Sequence, residues 1–146
     1  MRIRPLTDAD AAAIGSWNYP GRYSTYDFDE PPSAGDTWAV DEGGELVGYC
    51  CFGAPARVGD SAEEAGTLDV GYGLAPQLMG GGRGHRFVGA VLEFALERYD
   101  PRRLRLHILE WNERSRKVAA RHGFDVESTV ETQEGPFLVM ARPARG

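Results

Sequence analysis

Apolar positions along the chain change period several times, and each change marks an element. The opening "MRIRPL" reads as a short strand, and "TDADAAAIGSW" follows with Thr7 or Asp8 placed to cap an alanine-rich helix. Residues 17–36, "WNYPGRYSTYDFDEPPSAGD", mix five aromatics with turn formers and match neither period, which predicts a loop with room for a short helix. "TWAVDEGGELVGYCCFG" reads as a hairpin, two β-rich runs about "DEGGE", whose glycines accept positive φ. Residues 54–66 form a polar connector. "TLDVGYGLAP" is then a strand with two internal glycines, a sign of a bulge or a close backbone approach.

From Phe87 to Tyr99 the spacing turns helical, with Val88, Val91, Leu92, Ala95 and Tyr99 on one stripe, and "DPRR" ends it. "LRLHIL" alternates with Leu104, Leu106 and Ile108 on one face. "NERSRKVAARHGF" predicts a second helix capped by Asn112, with Gly123 at its C-terminal end. "FDVESTVE" and "FLVMAR" about "TQEG" close the chain as an antiparallel hairpin. The order β-α-β-β-β-α-β-α-β-β, with no repeat or linker, predicts one α+β domain over residues 1–146. Its sheet is mixed, mostly antiparallel and flanked by helices.

The 146 residues suffice for one sizeable core, and 42% apolar with 26% charged residues is ordinary for a globular protein. No apolar run nears the roughly 20 residues that cross a bilayer, and the start lacks the apolar stretch of a signal peptide, so a cytoplasmic protein without a membrane partner is expected. The net charge of −6 and the lack of a dense basic cluster argue against a nucleic-acid partner. Cys50 and Cys51 are neighbours on a strand and point to opposite faces, which suits packing and excludes a disulfide scaffold or a CxxC zinc site. The three histidines have no metal spacing, so no metal is expected.

"LAPQLMGGGRGHRF", residues 74–87, sets four glycines in a run of five where a helix is about to begin. A strand that passes through glycines into a helix offers free N–H groups at the positive end of a helix dipole, an anion site that bare backbone lets a phosphate approach. A Walker loop needs Lys and a hydroxyl after the last glycine, but His85 and Arg86 follow Gly84. The spacing also breaks the GxGxxG of a dinucleotide fold, and the early strands read as a hairpin.

A third reading is a pyrophosphate loop for coenzyme A, and here the chain resembles the GNAT family of N-acetyltransferases. "PQLMGGGRGH" matches that family's Arg/Gln-x-x-Gly-x-Gly/Ala loop with Pro76 upstream, Met79 in the Arg/Gln place, then Gly82 and Gly84; a second register starts at Gln77 with Gly80 and Gly82. Asn112, Ser115 and the Gly123–Phe124 pair resemble the RimJ/RimL-like branch, as does "VGYGLAP" at Gly71, Tyr72, Leu74 and Pro76. The resemblance is good over residues 67–125 and holds only in element order before that.

The resemblance implies a GNAT-like fold and an acetyl-CoA-dependent N-acetyltransferase, with acetyl-CoA as cosubstrate and a small-molecule or peptide amine as acceptor. Homodimers are common in such folds. Direct attack of a primary amine on the thioester requires the amine to shed a proton, which costs roughly 4 to 5 kcal/mol at pH 7 for a group of pKa near 10.4. Asp69 is the first candidate base and Glu110 the second. Ser115 is the candidate donor to the leaving sulfur, because the Tyr that many relatives carry four residues before the Gly-Phe glycine is here Ala119. The implied cofactor site comprises backbone groups of Tyr72, Gly73 and Leu74, the loop Met79, Gly80, Gly81, Gly82, Arg83, Gly84 and His85, with Arg86 beside it, and Asn112 on the pantetheine arm. Trp17, Tyr23 and Tyr26, with Tyr19 and Phe28, lie where the family builds its acceptor wall, and Asp27, Asp29 and Glu30 nearby favour a cationic acceptor. The alternative to an enzyme is a non-catalytic acyl-CoA-binding or sensing domain, and a nucleotide-binding domain is a third reading.

Overall fold

The computed structural model describes residues 1–145. Its elements are β1 (Arg2–Pro5), α1 (Asp8–Gly15), β2 (Trp38–Glu42), β3 (Glu45–Phe52), β4 (Thr67–Leu74), α2 (Gly84–Tyr99), β5 (Arg103–Leu109), α3 (Glu113–Arg121), β6 (Asp125–Thr132) and β7 (Gly135–Pro143). The order is the one the apolar pattern predicts. Short 3-10 helices at Gly21–Tyr26, Ala54–Ala56 and Pro76–Leu78 break the connectors.

Thr7 is the cap of α1: its hydroxyl accepts from the Asp10 N–H while the Asp10 carboxylate accepts from the Thr7 N–H, a capping box. Helix α2 begins at Gly84, three residues before the apolar stripe, since its polar first turn is helical without facing the core. Phe87, Val88, Val91, Leu92 and Ala95 of that helix are buried, whereas Tyr99, on the same stripe but in the last position of the helix, stays 41% exposed.

The sheet runs β1-β2-β3-β4-β5-β7-β6, and every neighbouring pair is antiparallel except β4 and β5. One face carries the main core, where Val40, Val70, Leu104, Leu106 and Ile108 meet Phe87, Val88 and Val91 of α2 and Ala119 of α3. The other carries a smaller cluster of Leu6, Ile14 and Ala39, against which Trp17, Phe28 and Tyr49 pack. Cys50 and Cys51 are free thiols in the sheet, both pushed up in pKa by burial, Cys51 to about 12.

One departure from regular pairing positions the site. Strands β4 and β5 share only three pairs, Thr67↔Arg103, Leu68↔Leu104 and Asp69↔Arg105. Beyond Asp69 they part, while β4 stays paired to β3 from Val70↔Phe52 to Leu74↔Gly48. The sheet therefore opens as a wedge whose apex is the Asp69–Arg105 pair.

Candidate active site

A cavity of about 170 Å³ fills this wedge and is lined by both parted strands, the loop before α2 and the start of α3. A strand residue's N–H and C=O point to the same edge, and those of successive residues to opposite edges. The Asp69 carbonyl is bound by the Gly53 N–H, so the backbone groups of Val70, Tyr72 and Leu74 turn toward β5. The Leu74 carbonyl accepts from the Tyr19 hydroxyl at 2.6 Å. Past Asp69 the edge of β4 that faces β5 thus offers main-chain groups along the cavity.

Gly73 differs. Its backbone faces β3, and the glycine serves by lacking a side chain: a Cβ there would lie 2.6 Å from the Tyr49 ring. Gly71 does the same for Cys51, whose Sγ would be 2.8 Å away. These glycines let bulky neighbours fill the face of the sheet on which the loop of residues 17–36 sits.

The glycine loop ends the wedge. Gly80 and Gly82 take φ of +77° and +79°, the left-handed region that glycine occupies without strain. Arg83 precedes α2 without a side-chain cap, which leaves the first N–H groups of the helix pointing outward. Met79 and Gly84 line the cavity, while Gly81 and Gly82 flank it on the loop, and a Cβ on Gly82 would meet nothing within 4 Å. Arg83 and Arg86 both reach Glu42, at 3.6 and 2.7 Å. His85 stacks on His122, with ring centroids 4.1 Å apart, and its carbonyl faces the His122 Nε2 at 2.9 Å. Arg114, which sequence reasoning missed, lines the cavity with its guanidinium against Gly80.

Asn112 caps α3 by accepting from the Ser115 N–H at 3.2 Å, and its amide donates to the Tyr26 hydroxyl at 2.9 Å. One side chain thus joins the helix start to the aromatic wall. Five of the six tyrosines, Tyr19, Tyr23, Tyr26, Tyr49 and Tyr72, line the cavity. Burial raises the pKa of Tyr19, Tyr26 and Tyr49, and that of Tyr72 to about 12, so these hydroxyls stay protonated. Tyr49 was missed because its position shows only against the glycines of the neighbouring strand. Trp17 packs in the smaller cluster against Tyr49 instead of lining the cavity. Trp111 extends the wall behind Tyr23, 5.0 Å away edge to face.

Two expectations change here. Asp69, the first candidate base, is not in the cavity lining: its wholly buried carboxylate receives Arg105 at 2.6 and 3.0 Å and Arg57 at 3.0 Å. It fastens the connector over the sheet, with both of its oxygens engaged by guanidiniums. Glu110 likewise is exposed and outside the lining. The acidic group expected to draw a cation is placed elsewhere too, since Asp27 accepts from the Tyr19 N–H and the lining includes no Asp or Glu among the described residues. The wall already carries guanidiniums, Arg22 over Trp111 at 4.3 Å and Arg114 over Tyr23 at 5.6 Å. His107 lies on the cavity segment of β5, but its imidazole is fully buried, held neutral by burial and placed 2.8 Å from the Ser61 hydroxyl. No group of three or more His, Cys, Asp or Glu suited to a metal occurs among the described residues.

The sequence profile of the family described as Acetyltransferase (GNAT) domain matches residues 1–125. No curated protein matches the chain. Among solved structures, the aminoglycoside acetyltransferase AAC(6')-Ib in complex with coenzyme A is 20% identical, with a TM-score of 0.75 over 97% of this chain and 93% of that one. A spermidine N-acetyltransferase SpeG chimera from Vibrio cholerae and hSSAT is 13% identical, with a TM-score of 0.74 over 98% and 95%. The putative acetyltransferase YncA from Salmonella typhimurium, with its cofactor acetyl-CoA, is 20% identical, with a TM-score of 0.67 over 98% and 93%. At these identities the likeness is one of fold.

Proposed function

The chain belongs to the acetyltransferase (GNAT) domain family, enzymes that move an acetyl group from acetyl-CoA to an amine, and we propose that it does so by direct attack of a primary amine within the β4–β5 wedge. The observation that carries this reading is the free edge of β4 leading into an uncapped helix start. The main-chain groups of Val70, Tyr72 and Leu74 suit the amides of a pantetheine arm, and the α2 N-terminus with Gly80, Gly82 and Arg114 suits a pyrophosphate. Coenzyme A supplies the activated acetyl thioester, and the residues of this chain hold and orient it.

Residues 1–146 act as one domain in this reading. The motif Gly71–Tyr72–x–Leu74–x–Pro76 and the pair Asn112 and Ser115 support the RimJ/RimL-like branch. Two free cysteines suit a reducing compartment such as the cytoplasm. The acceptor enters on the face of Tyr19, Tyr23, Tyr26 and Tyr49. The names of the aminoglycoside and spermidine enzymes support an amine acceptor. The aromatic lining without a carboxylate supports one whose body is uncharged, not a polycation, and it favours entry as the free base.

The test is acetyl-CoA turnover, followed by thiol release, with tyramine-like monoamines, spermidine and an aminoglycoside as acceptors. Transfer to a monoamine, with kcat/KM rising about tenfold per pH unit below the amine's own pKa, is the expected result. Tight acetyl-CoA binding with no transfer to any amine would favour a sensing domain instead.

A further inference from the structure

The catalytic step needs a donor where the thioester sulfur departs, and α3 brings the Ser115 hydroxyl to the cavity, with buried Ala119 one turn on. Tyr72 reaches the same place from β4. Its ring meets Phe87 edge to face at 6.0 Å, and its Oη is a buried oxygen with no hydrogen-bond partner. The Ser115 hydroxyl lies close enough to bear on that oxygen as a donor and favour the ionised form, and no acceptor is placed for the phenolic proton. A buried hydroxyl left unpaired weakens the fold, and such a group lining a cavity points to a missing ligand atom.

We propose that Tyr72 is a catalytic residue whose hydroxyl donates a hydrogen bond to the coenzyme A sulfur as the carbon–sulfur bond breaks, with Ser115 as its positioning residue. The inference rests on the acetyltransferase reading above. The amine nitrogen bonds to the acetyl carbon, the carbon–sulfur electron pair stays on sulfur, and coenzyme A leaves as the thiolate. The extra proton on the new amide nitrogen passes to solvent, and Tyr72 keeps its own. Burial keeps the phenol protonated through any working pH, so it serves as a donor without titrating.

Tyr72→Phe keeps the ring and removes only the hydroxyl. The expected result is a fall in kcat of tenfold to a hundredfold, with the acetyl-CoA KM and calorimetric affinity within threefold of the parent. Two further readouts separate catalysis from structure. The melting temperature should hold or rise, because an unpaired buried oxygen is gone. The shape of the pH–rate profile should not change. A kcat within twofold of the parent, or a fall in kcat accompanied by lower melting temperature and weaker acetyl-CoA binding, overturns the inference while leaving the acetyltransferase reading intact. A parent protein that transfers no acetyl group overturns both.

Discussion

Asp69→Asn separates a structural carboxylate from a catalytic one. The parent carboxylate is wholly buried and takes three charged hydrogen bonds of 2.6 to 3.0 Å from Arg105 and Arg57. Asn keeps the volume and one acceptor but leaves two guanidiniums without their counter-charge. Breaking a buried pair from one side costs about 3 to 5 kcal/mol. Glu64, 3.2 Å from Arg105, is half exposed and offsets less than about 1 kcal/mol of that. With an unfolding entropy of about 2.1 cal/mol/K for each of 146 residues, the remaining roughly 3 kcal/mol lowers the melting temperature by about 10 °C. Scanning calorimetry measures that shift, and steady-state kinetics at 15 °C, where the variant is folded, should give kcat within about threefold of the parent. A melting temperature within 3 °C of the parent together with a hundredfold loss of kcat would refute this reasoning and return Asp69 to the role of base.

Ser115→Ala should lower kcat by about tenfold, on the order of 1.4 kcal/mol, with acetyl-CoA affinity unchanged, and equal rates would leave Ser115 as structure only. Gly81→Val should leave the melting temperature unchanged, since its Cβ meets only the Leu78 carbonyl at 3.8 Å. It should also weaken acetyl-CoA binding about tenfold to a hundredfold, the loss of one charge-assisted contact, as calorimetry reads it. Gly82→Val should weaken binding and also lower the melting temperature, because φ there is +79° and a β-branched residue is strained in that region. The Arg4 guanidinium, helped by the Thr7 cap and opposed by burial, holds the Asp10 carboxyl far below its ordinary 3.8. A depressed carboxylate contributes stability above its unfolded value and loses it as pH falls toward the folded one. Melting temperatures should therefore drop below pH 4 in the parent and drop less steeply in Asp10→Asn, and parallel curves would contradict this.

The elements were legible because each buries one face: the stripe of Val88, Val91, Leu92 and Ala95 and the alternation of Leu104, Leu106 and Ile108 report the same core from both sides. The glycine loop was legible because only glycine fits the positive φ at Gly80 and Gly82. What pattern could not show was which side chains across the sheet take each other's charge. Asp69 and Arg105 are 36 residues apart and become neighbours only through the parallel register of β4 and β5. The same holds for Arg114 beside Gly80, and for Tyr49 over Gly73. Nor does composition reveal that β4 and β5 part after three pairs, the feature on which the site depends.

Calorimetric titration of the purified protein with acetyl-CoA, with ATP and NAD as controls, tests the central claim most directly. Micromolar binding of acetyl-CoA alone, weakened by Gly81→Val, is the result expected of a wedge that holds pantetheine against β4. Absence of binding, or equal affinity for ATP, would contradict it.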